Sequence, residues 1–167
     1  MAGAANLPRP AKDFSIKLID GKQIQISQYR GKVCVLAFIL TTCPHCQKTV
    51  GFLSGLQKEL GPRGLQVVAS AIEDGASMHV ADFVQRFQPG FPVGFDELQP
   101  TEDYLQHPSM LRLLMPQVMF IGRDGVIRAQ YGGDDKFFGD NQQQNLRAQI
   151  EALLKPVQPA KKHRRVA

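Results

Sequence analysis

The sequence predicts an α/β sandwich built on a mixed central sheet, and three observations carry that prediction. Strand-like and helix-like patterns alternate along the chain. One run, Val33 to Leu40, is apolar at every position, as a strand covered on both faces would be. Asp20-Gly21 and Asp124-Gly125 each sit between alternating apolar stretches, and each marks a hairpin that sets neighbouring strands antiparallel.

Residues 1–12, with Pro8 and Pro10 among small residues, read as a flexible lead-in to a domain over 13–155, followed by a basic tail at 156–167. Phe14, Ile16 and Leu18 alternate with polar residues, and Ile24 and Ile26 repeat the pattern after the turn, giving the first hairpin. Val33–Leu40 is the central strand. Pro44 suits a first helical turn, where its missing N–H costs nothing. Beyond it Val50, Leu53, Leu56 and Leu60 form a stripe at helical spacing that Gly61-Pro62 stops. Leu65–Ile72 reads as the next strand, and Val80, Phe83, Val84 and Phe87 as a second amphipathic helix. Phe91–Phe95 reads as a short strand, with Pro92 favouring an edge or its start. Thr101–His107 and Ser109–Leu114 each read as a short helix. Val118–Ile121 and Val126–Tyr131 flank the second hairpin, and Leu146, Ile150, Leu153 and Leu154 mark a last helix that Pro156 ends.

A chain of 167 residues, 43% hydrophobic and 21% charged, fits one globular domain rather than a disordered tail. Its longest apolar run falls well short of the roughly 20 residues that span a bilayer as a helix. Met1 to Lys12 has neither the basic start nor the apolar segment of a secretory signal. Of the formal net charge of +5, four charges come from Lys161, Lys162, Arg164 and Arg165, which with His163 read as a solvated tail. The body of the domain therefore makes no case for nucleic acid. Three cysteines are too few for a disulfide scaffold. Cys34, inside the apolar strand, reads as a structural thiol. His79 and His107 lack paired metal-ligand spacing. Phe83, Phe87, Phe137 and Phe138 read as packing, and Glu73-Asp74 and Asp96-Glu97 as solvated loops.

The informative motif is Cys43-Pro44-His45-Cys46, at the junction of the buried strand and the first helix. A thiolate, not a thiol, attacks disulfides. The free backbone N–H groups and dipole at a helix start favour an anion there by up to about 2 kcal/mol. Cys43 occupies that start. Cys46, one turn in, is near enough to close a small disulfide and more shielded. The spacing thus assigns attack to Cys43 and resolution of the mixed disulfide to Cys46. Pro44 withholds one backbone donor and His45 can add positive charge, so both tune the pair. Stabilising the reduced form by about 1.4 kcal/mol raises a two-electron potential by roughly 30 mV, which predicts a fairly oxidising couple.

At these residues the chain resembles the thioredoxin superfamily, specifically its TlpA/ResA-like branch (AhpC/TSA, or redoxin), over about residues 11–155. Asp13-Phe14 through Asp20-Gly21-Lys22 is similar to that branch's N-terminal hairpin, and Tyr29-Arg30-Gly31-Lys32-Val33 to its lead into the first core strand. Phe91-Pro92-Val93 with Asp96 resembles the strand after its second helix, and Pro116 to Gly125 its cis-proline loop and hairpin. The resemblance implies a thioredoxin-like fold, three layers α/β/α with a mixed sheet and an N-terminal β-hairpin. It implies thiol–disulfide exchange with protein thiols or disulfides through a redox-active Cys43–Cys46 disulfide, with no other cofactor and no metal. A cis Met115-Pro116 peptide would face the dithiol, with Met115, Pro116 and Thr42 binding substrate. A monomer is expected, without stable membrane insertion. Relatives of this type are mostly exported or tethered, which implies a periplasmic or extracytoplasmic setting if a signal was removed and a cytoplasmic one otherwise.

The chain departs from the branch in ways that bear on the chemistry. Ile39, Leu40, Thr41 and Thr42 replace the aromatic residues that precede the family's dithiol. A buried acid six residues before the attacking cysteine is replaced by Ala37, and a glutamate three after the second cysteine by Thr49. Neither position supplies a carboxylate for the proton of Cys46. A c-type haem would need histidine where Gln47 stands, and a peroxidatic Cys43 would need threonine where Leu40 stands. Two alternatives stay open: a soft-metal (copper) binding or chaperone module using Cys43, Cys46 and His45, since thiolates suit Cu(I), and a peroxiredoxin-like antioxidant.

Overall fold

The structure is a computed structural model that describes residues 5–156; the basic tail at Lys161–Arg165 lies outside the described residues. Arg9–Pro10 forms a two-residue strand, β1, at one sheet edge. The segment expected to be a loose lead-in is thus partly sheet. Proline is tolerated there because an edge strand leaves one row of backbone groups unpaired. Arg9 ties β1 down by donating to the Tyr104 carbonyl at 3.1 Å and to Gln130 Oε1 at 2.8 Å. The first hairpin pairs β2 (Ser15–Lys17) with β3 (Gln23–Gln25), Ile16 opposite Ile24, and both isoleucines are buried. Its turn passes through Gly21 at φ 85°, a conformation that side chains disfavour.

The apolar run forms β4 (Val33–Ile39), buried at every residue. It lies between β5 (Leu65–Ala71), which runs parallel to it, and β7 (Gln117–Ile121), which runs antiparallel. The chain crosses from β4 to β5 through α1 (Pro44–Leu60) and from β5 to β6 (Val93–Phe95) through α2 (Val80–Phe87). β8 (Val126–Tyr131) completes the late hairpin with β7, and α4 (Gln142–Leu154) closes the domain. The eight strands lie in the order β1-β8-β7-β4-β5-β6-β2-β3, so the N-terminal hairpin joins the main sheet through β2 against β6.

Alternation along the strands divides the core between the two sheet faces. Val33, Val35, Ala37 and Ile39 meet α1, α2 and α4 through Cys46, Val50, Leu53, Phe83, Leu146 and Ile150. Cys34, Leu36 and Phe38 point the other way, against Ile16, Ile24 and Leu105. Leu105 belongs to α3 (Leu98–Leu105), the one α-helix whose buried side chains join that second cluster among the described residues. Three layers result. A fully buried Leu or Val contributes about 1.5–3 kcal/mol, so the stripe of α1 is what seats the helix.

Residues 98–115 differ from expectation. α3 starts three residues before Thr101 and gives way at Gln106, whose φ of 54° is left-handed. No helix forms over Ser109–Leu114. Pro108 disfavours a helical His107 before it, and His107 Nε2 instead lies 3.0 Å from the Leu111 carbonyl, closing a loop.

The register assembles one end of the sheet. Ile39 and Phe95 both sit beside Ala71, and Gln117, the first residue of β7, is opposite Phe38. The C-terminal ends of β4, β5 and β6 therefore meet the start of β7. In α/β sheets, sites form at such ends.

Candidate active site

Cys43 is the N-cap of α1, in extended conformation, with Pro44 at the first helical position. Its N–H donates to the Leu40 carbonyl at 3.2 Å, and its sulfur accepts the Cys46 backbone N–H at 3.4 Å. The helix start thus aims a donor at Sγ, as an anion there requires. Thr42 and Pro44 are exposed, Cys43 is half-buried and Cys46 is fully buried. Burial pushes the Cys46 thiol well above its usual range, and the neighbouring Cys43 sulfur and Glu73 carboxylate push the same way; only the Leu40 backbone N–H opposes them. One sulfur is reachable and the other is held as a shielded thiol. Cys34 lies across the sheet in the other core cluster, where burial raises its thiol to about 12.

His45 is half-buried, its ring edge-on to Phe138 at 5.5 Å, and its carbonyl accepts the Thr49 hydroxyl at 3.1 Å. Thr49 also touches the buried Gln142 amide of α4. A hydroxyl has one proton to give, and Gln142 Nε2 has no other partner among the described residues. Turned so that Nε2 faces Thr49, the amide donates to the hydroxyl while the hydroxyl donates to His45. The result is a neutral hydrogen-bonded seal between α1 and α4.

Two carboxylates expected in solvated loops are built into the site instead. Glu73 accepts the Thr41 backbone N–H at 2.8 and 3.1 Å through its two oxygens, and the Thr41 hydroxyl at 2.8 Å. From the other side Gln47 Nε2 donates to the Thr41 carbonyl at 3.0 Å. Asp96 accepts the Ser70 hydroxyl at 2.6 Å, and burial raises its carboxyl to about 6. With Lys17, Asp74 and Glu97 they line a cavity of about 410 Å³. Sequence reasoning missed both, although Glu73 lies two residues beyond the end of β5 and Asp96 directly follows β6, and the ends of parallel strands signal a site.

The Met115-Pro116 peptide is cis. Pro116 is buried and directly precedes β7; Met115 is half-buried and packs against both core clusters. The Leu114 carbonyl accepts Gln117 Nε2 at 2.6 Å and the Gly133 N–H at 3.1 Å. Gly133 needs its missing side chain, because a Cβ would overlap the Met115 carbonyl, only 2.6 Å from its carbon. Register therefore brings Met115 and Pro116 to the sheet end that carries Thr42, Cys43, Pro44, His45 and Cys46. His107 stands apart in its own loop, whereas His79 borders a cavity of about 190 Å³ with Thr41, Thr42, Phe83 and Arg86. Among the described residues no three or more His, Cys, Asp or Glu are grouped to hold a metal, and no helix is long and apolar enough to cross a membrane.

The model of the AhpC/TSA family matches residues 7–130. A thiol-disulfide oxidoreductase ResA of Bacillus thuringiensis subsp. konkukian is 22% identical over 151 residues, covering 90% of this chain and 78% of the relative. A ResA of Oceanobacillus iheyensis is 30% identical over 121 residues, covering 70% and 60% respectively. Among solved structures, a candidate thiol:disulfide interchange protein DsbE from Chlorobium tepidum superposes with a TM-score of 0.74 at 25% identity, covering 90% of this chain and 99% of that one.

Proposed function

The chain belongs to the AhpC/TSA family and is a thiol–disulfide oxidoreductase of thioredoxin-like fold, and from that premise we propose that Cys43 and Cys46 exchange a disulfide with a protein partner. The Cys43 thiolate attacks the partner's disulfide: a bond forms between Cys43 Sγ and one partner sulfur, and the other leaves as a thiolate. Cys46, its proton passing to the partner thiolate released in the first step, then attacks Cys43 Sγ, forming the Cys43–Cys46 disulfide and releasing the second partner thiolate. The partner gains two electrons and the protein gives up two; run backwards, the same steps oxidise a partner dithiol. No cofactor beyond that disulfide takes part. Pro44 and His45 tune the pair, while Met115, Pro116 and Thr42 receive the partner's backbone beside Cys43.

The single observation that carries the reading is the unequal placement of the two sulfurs. Cys43 is reachable at a helix N-cap and receives a backbone donor, while Cys46 is buried one turn behind it. The thiol-disulfide oxidoreductases among the relatives favour exchange over copper binding. The test is substitution. Cys43→Ser should abolish turnover of a protein disulfide such as insulin, and Cys46→Ser should accumulate mixed disulfides visible as slow bands on non-reducing gels. A Cys43→Ser protein that still turns over, or a Cys46→Ser protein that traps nothing, would sink the assignment.

A further inference from the structure

We propose that Glu73 is a positioning residue for the dithiol: it clamps the turn that presents Cys43, and its charge keeps the anion of the reduced pair on Cys43 rather than on Cys46. The inference rests on the exchange reading above and adds to it a residue from outside the helix.

The clamp follows from hydrogen bonding. Thr41 is buried, so its N–H has little access to water and needs a protein acceptor. The Glu73 carboxylate accepts both that N–H and the Thr41 hydroxyl, while Gln47 Nε2 of α1 donates to the Thr41 carbonyl. Thr41 is therefore gripped from β5 on one side and from the active-site helix on the other. Two residues later the chain reaches Cys43, whose own N–H is fixed by Leu40.

The charge has a direction too. Both Glu73 oxygens already accept hydrogen bonds from Thr41 and neither is bonded to Cys46. The carboxylate is thus placed to repel a second anion rather than to collect the Cys46 proton, and its effect on the Cys46 thiol has that sign. Cys46 directly precedes Gln47, which bonds the same Thr41 that Glu73 holds, and Lys17 from β2, Asp74 on its own loop, and Asp96 and Glu97 beyond β6 line the cavity with Glu73. Burial raises the Asp96 carboxyl to about 6, close to the lower end of the assay range, so it is the group to separate from Glu73.

The test uses the aromatic disulfide 5,5′-dithiobis(2-nitrobenzoate) as probe. Cys43 displaces one thionitrobenzoate and forms a mixed disulfide; Cys46 then displaces the second, and the rate of that second release reports the ionisation of Cys46. Between pH 6 and 9, Glu73→Gln and Glu73→Ala should both shift this profile to lower pH and speed the second release several-fold at pH 7. Asp96→Asn should leave it in place. Glu73→Ala should in addition melt at lower temperature, with Glu73→Gln partly restored because its amide oxygen still accepts from Thr41. If both variants lose stability and keep the wild-type profile, Glu73 is only a brace and the proposal fails. If the second release slows instead, Glu73 acts as a base and the proposal is equally overturned. A wild-type protein that never releases the second equivalent would overturn the dithiol reading itself, a different and separable result.

Discussion

His45 lies between the two cysteines in sequence, with its ring against Phe138 and its carbonyl held by Thr49, so its position on the first turn of α1 is fixed. Replacing it with glycine removes the imidazole proposed to favour the reduced form and should lower the midpoint potential, by roughly 30 mV for each 1.4 kcal/mol of lost stabilisation. Equilibration against glutathione buffers measures this directly, and an unchanged potential would rule out tuning by His45. The motif residues were legible in the sequence because their relation is local: an N-cap, a proline and one helical turn fix Cys43 against Cys46 whatever surrounds them. Glu73 was not legible. Its partner Thr41 lies 32 positions earlier, and only the parallel register of β4 and β5 sets the two level. Asp96 was missed likewise, since the hydroxyl it accepts belongs to Ser70 on a neighbouring strand.

At the scale of elements, Gly94 shows what joins the N-terminal hairpin to the sheet. β6 meets β2 where Phe95 pairs with Lys17, and a Cβ on Gly94 would overlap the Lys17 carbonyl oxygen and Ile16 Cγ2. Gly94→Ala should therefore push β2 away from β6 and cost about 1–3 kcal/mol, as overpacking does. A urea midpoint equal to wild type would show that the junction yields freely. The elements read correctly from sequence were those with long, regular patterns: the unbroken apolar run of β4, the stripe of α1 and the two Asp-Gly hairpins. Those misread were short or irregular. β1 exists because β8 offers it a partner far along the chain. Residues 109–114 lack a helix because Pro108 and the His107–Leu111 contact settle the backbone otherwise.

For the molecule as a whole, stability against pH is a sum of opposing groups. Asp13, held low first by the Ser27 backbone N–H, and Glu59 and Glu151, held low first by Arg147 and Arg63, add stability that is lost as pH falls through their folded values. Asp96 works in the other direction. Its folded value of about 6 exceeds the ordinary 3.8, so between the two the folded protein keeps a proton that the unfolded chain has released. Its contribution therefore weakens as pH rises from about 4 to 6 and stays reduced above that. The melting temperature of Asp96→Asn minus that of wild type should grow across this interval and then level off. A difference flat from pH 4 to 8 would contradict the burial of that carboxyl. The layered architecture and mixed sheet were foreseeable, because binary patterning dictates them; this pH balance depends on which side chains three-dimensional packing deprives of water.

The sheet also ends in a particular way. One border is a two-residue strand containing a proline, the other a three-residue strand that begins and ends with glutamine. Borders so brief offer a foreign chain almost no ladder to extend, so the wide sheet is guarded against ribbon-like self-assembly by the smallest elements in the protein.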